Sequence, residues 1–211
     1  MAVCDAGPAT NVAFSRENSG AVSLAGTTAL RAPVLGTRLS TEQAFTVEGW
    51  LRWDGAVRGG ETVICGSYEA DTSSPENRCG WRLLIDDTGA SARLALHARC
   101  GRGYTPMASG VFADRTVTSG EWHYVALSYD PGAGNRGVWT LTLDHRAPVT
   151  LENTWRDRTV PAVAGSFRLG GAQEGVRGFS GELDLWRVST GVLTGEALLY
   201  RKATGFILNV R

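Results

Sequence analysis

Glu182 and Asp184 stand two residues apart in the stretch Ser-Gly-Glu-Leu-Asp-Leu-Trp-Arg that ends at Arg187. Two carboxylates about 5 Å apart can act as nucleophile and acid/base in glycosidic bond cleavage. Strict alternation puts the residue three positions on from Asp184, which is Arg187, on the opposite face, unless a bulge intervenes. Only His97, His123 and His145 offer imidazoles. His123 alternates in phase with Val125 and Leu127, which reads as a core or interface histidine rather than a base. No serine occupies a Gly-x-Ser-x-Gly elbow, and no phosphate loop or dinucleotide fingerprint is present. The residues assemble no catalytic constellation, so the expectation is not an enzyme.

Binding chemistry is better represented. In an up-and-down strand path alternate connections emerge at the same end of a sheet. The connections 66–78, 101–106, 131–136 and 153–164 are therefore expected to meet at one rim. That rim carries Tyr68, Glu69, Asp71, Arg102, Tyr104, Trp155, Arg156, Asp157 and Arg158. Aromatic rings that stack on sugar faces, flanked by carboxylates and guanidinium groups, make a glycan site. Tyr68, Asp71, Tyr104, Trp155, Arg156 and Arg158 are the expected ligand-binding set. Alternatively, Trp155 and Tyr104 plug the ends of the core. A second candidate is a sheet face carrying Glu48, Trp50, Arg52, Arg82, His97, Arg99 and Tyr124, where a packing role is preferred.

The four cysteines, Cys4, Cys65, Cys79 and Cys100, show no Cys-x-x-Cys spacing and make a poor zinc ribbon. A hairpin about Asp86–Gly89 brings Leu83 opposite Leu94 and places Cys79 near Cys100. That favours a Cys79–Cys100 bridge and leaves Cys4 for Cys65. Cys65–Cys79 is the competing pairing, and free buried thiols in a cytosolic protein are a further reading. Disulfides would imply an oxidising compartment, hence an extracellular or cell-surface protein.

These side chains need a scaffold, and the sequence describes one. Gly120–Asp130 alternates strictly, with His123, Val125, Leu127 and Tyr129 on one face. Phe45–Trp53 behaves likewise, with Phe45, Val47, Gly49 and Leu51 aligned. Further strands are expected over 21–24, 29–32, 61–68, 81–85, 94–98, 111–112, 137–144, 149–151, 167–170, 179–189 and 206–210. The segments 21–24 and 29–32 read as a short pair around Gly26, and 195–201 as one or two helical turns. Residues 1–20 read as irregular. The 27 glycines and seven tryptophans suit short strands and tight turns. No long amphipathic helix and no internal repeat appear. The fold class expected is all-β, an antiparallel two-sheet jelly-roll sandwich. It forms a single domain over 1–211 with its core at about 20–200.

Twenty-one basic and 21 acidic residues give a formal net charge of zero, which argues against an electrostatic grip on nucleic acid. Twenty of the basic residues are arginine, the exception being Lys202, in keeping with a bacterial, high-GC coding bias. No run of apolar residues is long enough to insert in a membrane. The N-terminus has neither the basic nor the apolar region of a signal peptide, as expected of a cytoplasmic protein or of a mature fragment with an added start methionine; the cysteines favour the fragment.

Four segments carry a resemblance: FTVEGWLRW, GEWHYVALSYD, VWTLTLDHRAPV, and FRLGGAQEGVRGFSGELDLWRVSTGVLTGEAL. In order and spacing they resemble the laminin-G-like, concanavalin A-like lectin-glucanase jelly rolls, over about residues 20–200. One departure is Asp144-His145 where that family usually has Asp-Gly. The resemblance implies a non-catalytic recognition module that binds glycan or polysaccharide, within a larger secreted or surface protein. A structural or protein-adhesion domain is the alternative. A divergent glycoside hydrolase is the third reading, because related β-glucanases use Glu-x-Asp-x-x-Glu. Arg187 stands where that motif needs its last glutamate. No cofactor is expected. Many family members hold one calcium ion, for which Asp71, Asp86, Asp87, Asp130 and Asp157 are candidate oxygen donors.

Overall fold

The computed structural model describes residues 5–6, 13–14, 21–26, 29–32, 39, 42–55, 60–69, 79–99, 106–134, 136–154, 167–171, 177–199 and 209–210. In chain order the strands begin with β1 (Asp5–Ala6), β2 (Ala13–Phe14), β3 (Val22–Ala25), β4 (Leu30–Arg31), β5 (Phe45–Trp53) and β6 (Glu61–Glu69). They continue with β7 (Cys79–Asp86), β8 (Arg93–Arg99), β9 (Pro106–Thr116), β10 (Trp122–Asp130) and β11 (Val138–Leu143). The last are β12 (Val149–Glu152), β13 (Phe167–Leu169), β14 (Arg177–Gly178), β15 (Ser180–Thr190) and β16 (Asn209–Val210). A single 3-10 turn, Gly195–Ala197, lies near the end.

Among the described residues the strands make two eight-stranded sheets. The first runs β1-β4-β13-β6-β7-β8-β9, with β14 parallel to β6. The second runs β12-β11-β10-β5-β15-β3-β2, with β16 parallel to β15. All the other pairings are antiparallel, and the architecture is the expected jelly-roll sandwich. Residues 21–24 and 29–32 do not pair with each other, however. β3 joins β15 and β4 joins β13, so the chain crosses between sheets at Gly26, where φ is +81°. A left-handed residue turns the chain too sharply for a simple ladder, and glycine adopts that conformation without strain.

The core lies between the sheets. From β10 it takes Val125, Leu127 and Tyr129, and from β5 Phe45, Val47 and Leu51, as alternation requires. Phe45 stacks on Trp81 with ring centroids 5.3 Å apart, and Tyr129 packs on Trp139 at 4.5 Å. These rings join the two sheets at one end of the sandwich.

A β-bulge decides the geometry of β15. Asp184 pairs with Trp50 and Arg187 with Glu48, so Leu185 and Trp186 together oppose Gly49. Leu185 takes φ +51°, a conformation unusual for a bulky side chain. Trp186 then fills the space over Gly49, where a Cβ would lie 2.6 Å from the indole. Its Nε1 donates to the Trp50 carbonyl at 3.1 Å. The extra residue also carries Arg187 onto the same outer face as Glu182 and Asp184.

Two further expectations need correction. Leu83 faces Leu96, and Ile85 faces Leu94, because the turn between β7 and β8 spans 87–92 rather than 86–89. A shift of two leaves every side chain on its expected face. Cys65 is a free thiol, fully buried in the core. It sits on β6 between Leu83 and Leu169, while Cys79 lies opposite Glu69, four residues along. That separation is about 13 Å at strand rise, beyond the reach of a disulfide. The Cys4–Cys65 and Cys65–Cys79 bridges are therefore not formed. Cys4, Cys100 and the side chain of Cys79 lie outside the described residues. With Cys65 buried among apolar groups, it gives no argument for an oxidising compartment.

Candidate functional site

The strand registers fix which connections share an end. Glu69 pairs with Cys79, Gly80 with Arg99, and Asp130 with Val138. Phe167 pairs with Ser67, and Trp81 touches both Phe167 and Trp139. The strand ends that flank 70–78, 100–105, 131–137 and 153–166 thus lie at the same end of the sandwich. Of the residues expected there, Tyr68 lies one position before the end of β6, opposite Gly80. Its side chain, and Asp71, Arg102, Tyr104, Trp155, Arg156, Asp157 and Arg158, lie outside the described residues. A network that the sequence reading missed organises this end. Asn153 is buried. It accepts from Trp139 Nε1 at 2.9 Å and donates to Tyr129 Oη at 2.9 Å and to the Arg136 carbonyl at 2.8 Å. Arg136 in turn donates to the Thr154 carbonyl at 2.8 Å. One asparagine so ties the 131–137 turn and the start of the 153–166 connection to the core aromatics. No motif in the sequence singles it out from other loop asparagines.

The second candidate face divides between the two sheets. Glu48, Trp50, Arg52 and Tyr124 stand on the outside of the second sheet, whereas Arg82 and His97 stand on the first. Arg82 and His97 contact each other at 3.1 Å, and both meet Glu61 at 3.4 Å. Arg99 ends β8 on the first sheet, and its side chain lies outside the described residues. A single saccharide cannot span residues on opposite outer faces.

On the second sheet, Glu48 is fully buried. It accepts from Arg187 Nε at 2.7 Å, from Arg187 Nη2, from the Leu199 amide at 2.8 Å and from the Tyr124 hydroxyl. Burial first, and then the adjacent Glu48 carboxylate, push the Tyr124 phenol far above its ordinary value. Leu193, Leu198 and Leu199 pack against Tyr124, Ala126 and Trp50, so the segment after β15 covers this part of the face. Tyr124 and Glu48 are structural there, as the packing expectation holds. Further along, Arg52 pairs with Glu182 at 2.6 Å and lies 5.5 Å from the Trp122 ring centroid. Glu182 Oε2, Asp184 Oδ1 and Trp50 Nε1 are buried without a hydrogen-bond partner. Burial raises the Asp184 carboxyl, against the opposing hydrogen bond from the Leu185 amide. The bulge puts Arg187, held by Glu48, where a glucanase motif needs its second carboxylate.

His123 is also structural. The Thr118 amide donates to its Nε2 at 3.0 Å, so Nε2 is an acceptor, and Nδ1 carries the proton toward Asp144 Oδ2 at 2.9 Å. Asp144 Oδ1 accepts from the Tyr124 amide at 2.9 Å. In this turn the left-handed position is Asp144, with φ +54°, a conformation that aspartate tolerates.

Of the candidate calcium donors, Asp86 and Asp130 are engaged in their own turns. Asp86 Oδ1 accepts from the Thr88 amide at 2.9 Å and hydroxyl at 2.6 Å, and Asp130 Oδ1 from the Gly132 amide at 2.8 Å. These carboxylates shape their own turns, and no three acidic, cysteine or histidine side chains among the described residues converge. Asp71 and Asp157 lie outside the described residues.

The sequence profile described as the concanavalin A-like lectin/glucanases superfamily matches residues 24–198. No curated protein sequence matches the chain. Among solved structures, the sialidase carbohydrate-binding module CBM40 of Ruminococcus gnavus, bound to α2,3-sialyllactose, superposes with a TM-score of 0.55 at 14% identity. That match covers 83% of this chain and 92% of the module. A SAP-like pentraxin of Limulus polyphemus matches at 0.53 and 17% identity, over 86% and 80%. Full-length tailspike protein 2 of an Escherichia coli O157:H7 bacteriophage matches at 0.58 and 15% identity. There 93% of this chain covers 26% of the tailspike. At these identities the likeness is one of fold.

Proposed function

Because this chain belongs to the concanavalin A-like lectin/glucanase superfamily, we propose that it is a carbohydrate-recognition module without catalytic activity. Its binding surface is the end of the sandwich at which the four long connections leave. The observation that carries the reading is the register of β6 to β12, which brings the flanking strand ends together. Long loops on a rigid scaffold are a common seat of binding. Tyr68, Tyr104 and Trp155 supply stacking surfaces, and Asp71, Arg156 and Arg158 supply hydrogen bonds to sugar hydroxyls. The Asn153 network supports this placement, since it holds two of the four connections to the core. The carbohydrate-binding module that shares the fold binds sialyllactose. The module works outside the cell or on its surface, as part of a larger protein. Retention on a glycan array, with Trp155→Ala and Tyr104→Ala beside the parent chain, tests the reading. Loss in both variants is expected. Retention unchanged in both overturns the rim, and binding to a protein partner but to no glycan overturns the carbohydrate reading.

A further inference from the structure

Seven consecutive antiparallel pairs join β7 to β8, from Asp86–Arg93 beside the turn to Gly80–Arg99 at the far end, with no bulge between them. Cys79 opens β7, and Cys100 follows Arg99, the last residue of β8. The same register carried one residue further sets Cys79 opposite Cys100. Gly80 has φ +134°, but the ladder with β6 runs through it, Tyr68–Gly80 being followed by Glu69–Cys79. β7 is therefore still an extended strand at Cys79. Trp81, Leu83 and Ile85, in phase with Cys79, belong to the core, as do Leu94, Leu96 and Ala98, in phase with Cys100. Both cysteines thus hold inner-side positions of their strands.

The register decides whether the two can be bridged. With Leu83 opposite Leu94, Cys79 would face Ala98 and Cys100 would stand one diagonal away, about 7–8 Å between Cα atoms. A disulfide spans at most about 6.8 Å. With Leu83 opposite Leu96 the two are direct partners, at about 4.5–5.5 Å, inside that limit. The topology removes the competitors. Cys65 stands opposite Leu83, four residues along from Cys79, and a further strand away from Cys100. Cys4 precedes β1, and β4, β13 and β6 separate β1 from β7, four strand spacings or about 19 Å.

We propose that Cys79 and Cys100 form a cross-strand disulfide that fastens together the bases of the 70–78 and 100–105 connections, leaving Cys65 a thiol. The bond follows from the register alone, whereas its effect on ligand rests on the carbohydrate reading of the rim, to which these connections bring Asp71 and Tyr104. In its formation one cysteine thiolate attacks an oxidant disulfide such as glutathione disulfide, giving a mixed disulfide and releasing one thiol. The second thiolate displaces the other half. Two thiols lose two protons and two electrons, and the oxidant is reduced to two thiols. Such a bond persists in an oxidising compartment, in keeping with a protein that works outside the cell.

The test begins with the full chain equilibrated in a glutathione redox buffer, then alkylated with iodoacetamide in urea without reductant and digested with trypsin. Cleavage after Arg78, Arg82, Arg99 and Arg102 isolates each cysteine. The peptide Cys79–Arg82 joined to Cys100–Arg102, lighter than the two together by two hydrogen atoms, is expected, with Cys65 alkylated. Alkylation of Cys79 and Cys100, glutathione adducts on them, or a link from either to Cys4 or Cys65 would overturn the bond. Dithiothreitol should lower the urea midpoint of the parent and leave that of the Cys79→Ser, Cys100→Ser double variant unchanged. A parent midpoint that dithiothreitol does not move would overturn the fastening, whether or not the double variant folds. On a glycan array the oxidised chain should be retained roughly threefold or more better than the reduced one, since ordered connections lose less freedom on binding. Equal retention of the two forms would overturn the tie to the rim. Linked peptides with no glycan retained in either form would overturn the rim reading and leave the disulfide standing.

Discussion

Two aspartates of the second sheet are both pushed up by burial, yet their carboxyls end on opposite sides of the ordinary value. Burial works against the Asp144 charge, but hydrogen bonds from His123 and the Tyr124 amide, with Arg146 nearby, hold its carboxyl below the ordinary value. Its stabilising effect is present above the unfolded carboxylate value, about 3.9, and is lost as pH falls through the depressed native value. Asp144→Asn keeps the turn geometry and loses the charge. The urea midpoint of this variant should lie below the parent's at neutral pH, and the gap should close in acid. Asp184 has the reverse sign, since burial raises its carboxyl. The native state then binds the proton more tightly, so stability falls as pH rises through the unfolded value and on to the raised native one. Asp184→Asn should stabilise the chain at neutral pH and give no gain below the unfolded value. Urea midpoints measured across pH check both, and a shift of the same sign in the two variants would contradict the assignments.

At the scale of the element, β15 and its bulge set the outer face. Without the extra residue Arg187 would point into the core and Glu48 would be a buried, unpaired carboxylate. Removing one member of a buried ion pair costs about 3–5 kcal/mol. Arg187→Met should therefore destabilise by an amount of that order. Glu48→Gln added to it should restore most of the loss, because an amide can keep the Tyr124 and Leu199 hydrogen bonds without a buried charge. Chemical denaturation of the two single variants and the double variant gives the coupling directly. Much of this element was legible beforehand. Alternation predicted the strand, and Glu182, Asp184 and Arg187 were visible as a motif. The bulge was not, because a sequence states residue order and not how many residues oppose one partner. The pairing of Arg187 with Glu48, 139 positions away, has no local signal at all.

For the whole molecule, the free, buried Cys65 makes accessibility a measure of unfolding. Burial raises its thiol far above the ordinary value, so the reactive thiolate is scarce in the folded chain. Iodoacetamide should leave the Cys65 peptide unmodified under native conditions and label it in urea without any reductant. Mass spectrometry reads this out, and labelling only after reduction would mean that Cys65 is bridged.

The sequence by itself determined the class of fold and most of the strands, because burying one side of a sheet imposes a period of two that any window of eight residues displays. β5 spans Phe45–Trp53 as read. β9 extends over 106–116 where only 111–112 was legible, since Gly110, Ala113 and Asp114 break the apolar alternation. Only the tertiary structure decided which strands share a sheet. It sent β3 and β4 to different layers, split the Glu48–His97 face between two surfaces, and removed Cys65 from disulfide chemistry. Sheet membership depends on contacts between distant residues, and those follow from how whole elements pack rather than from the pattern within any one of them.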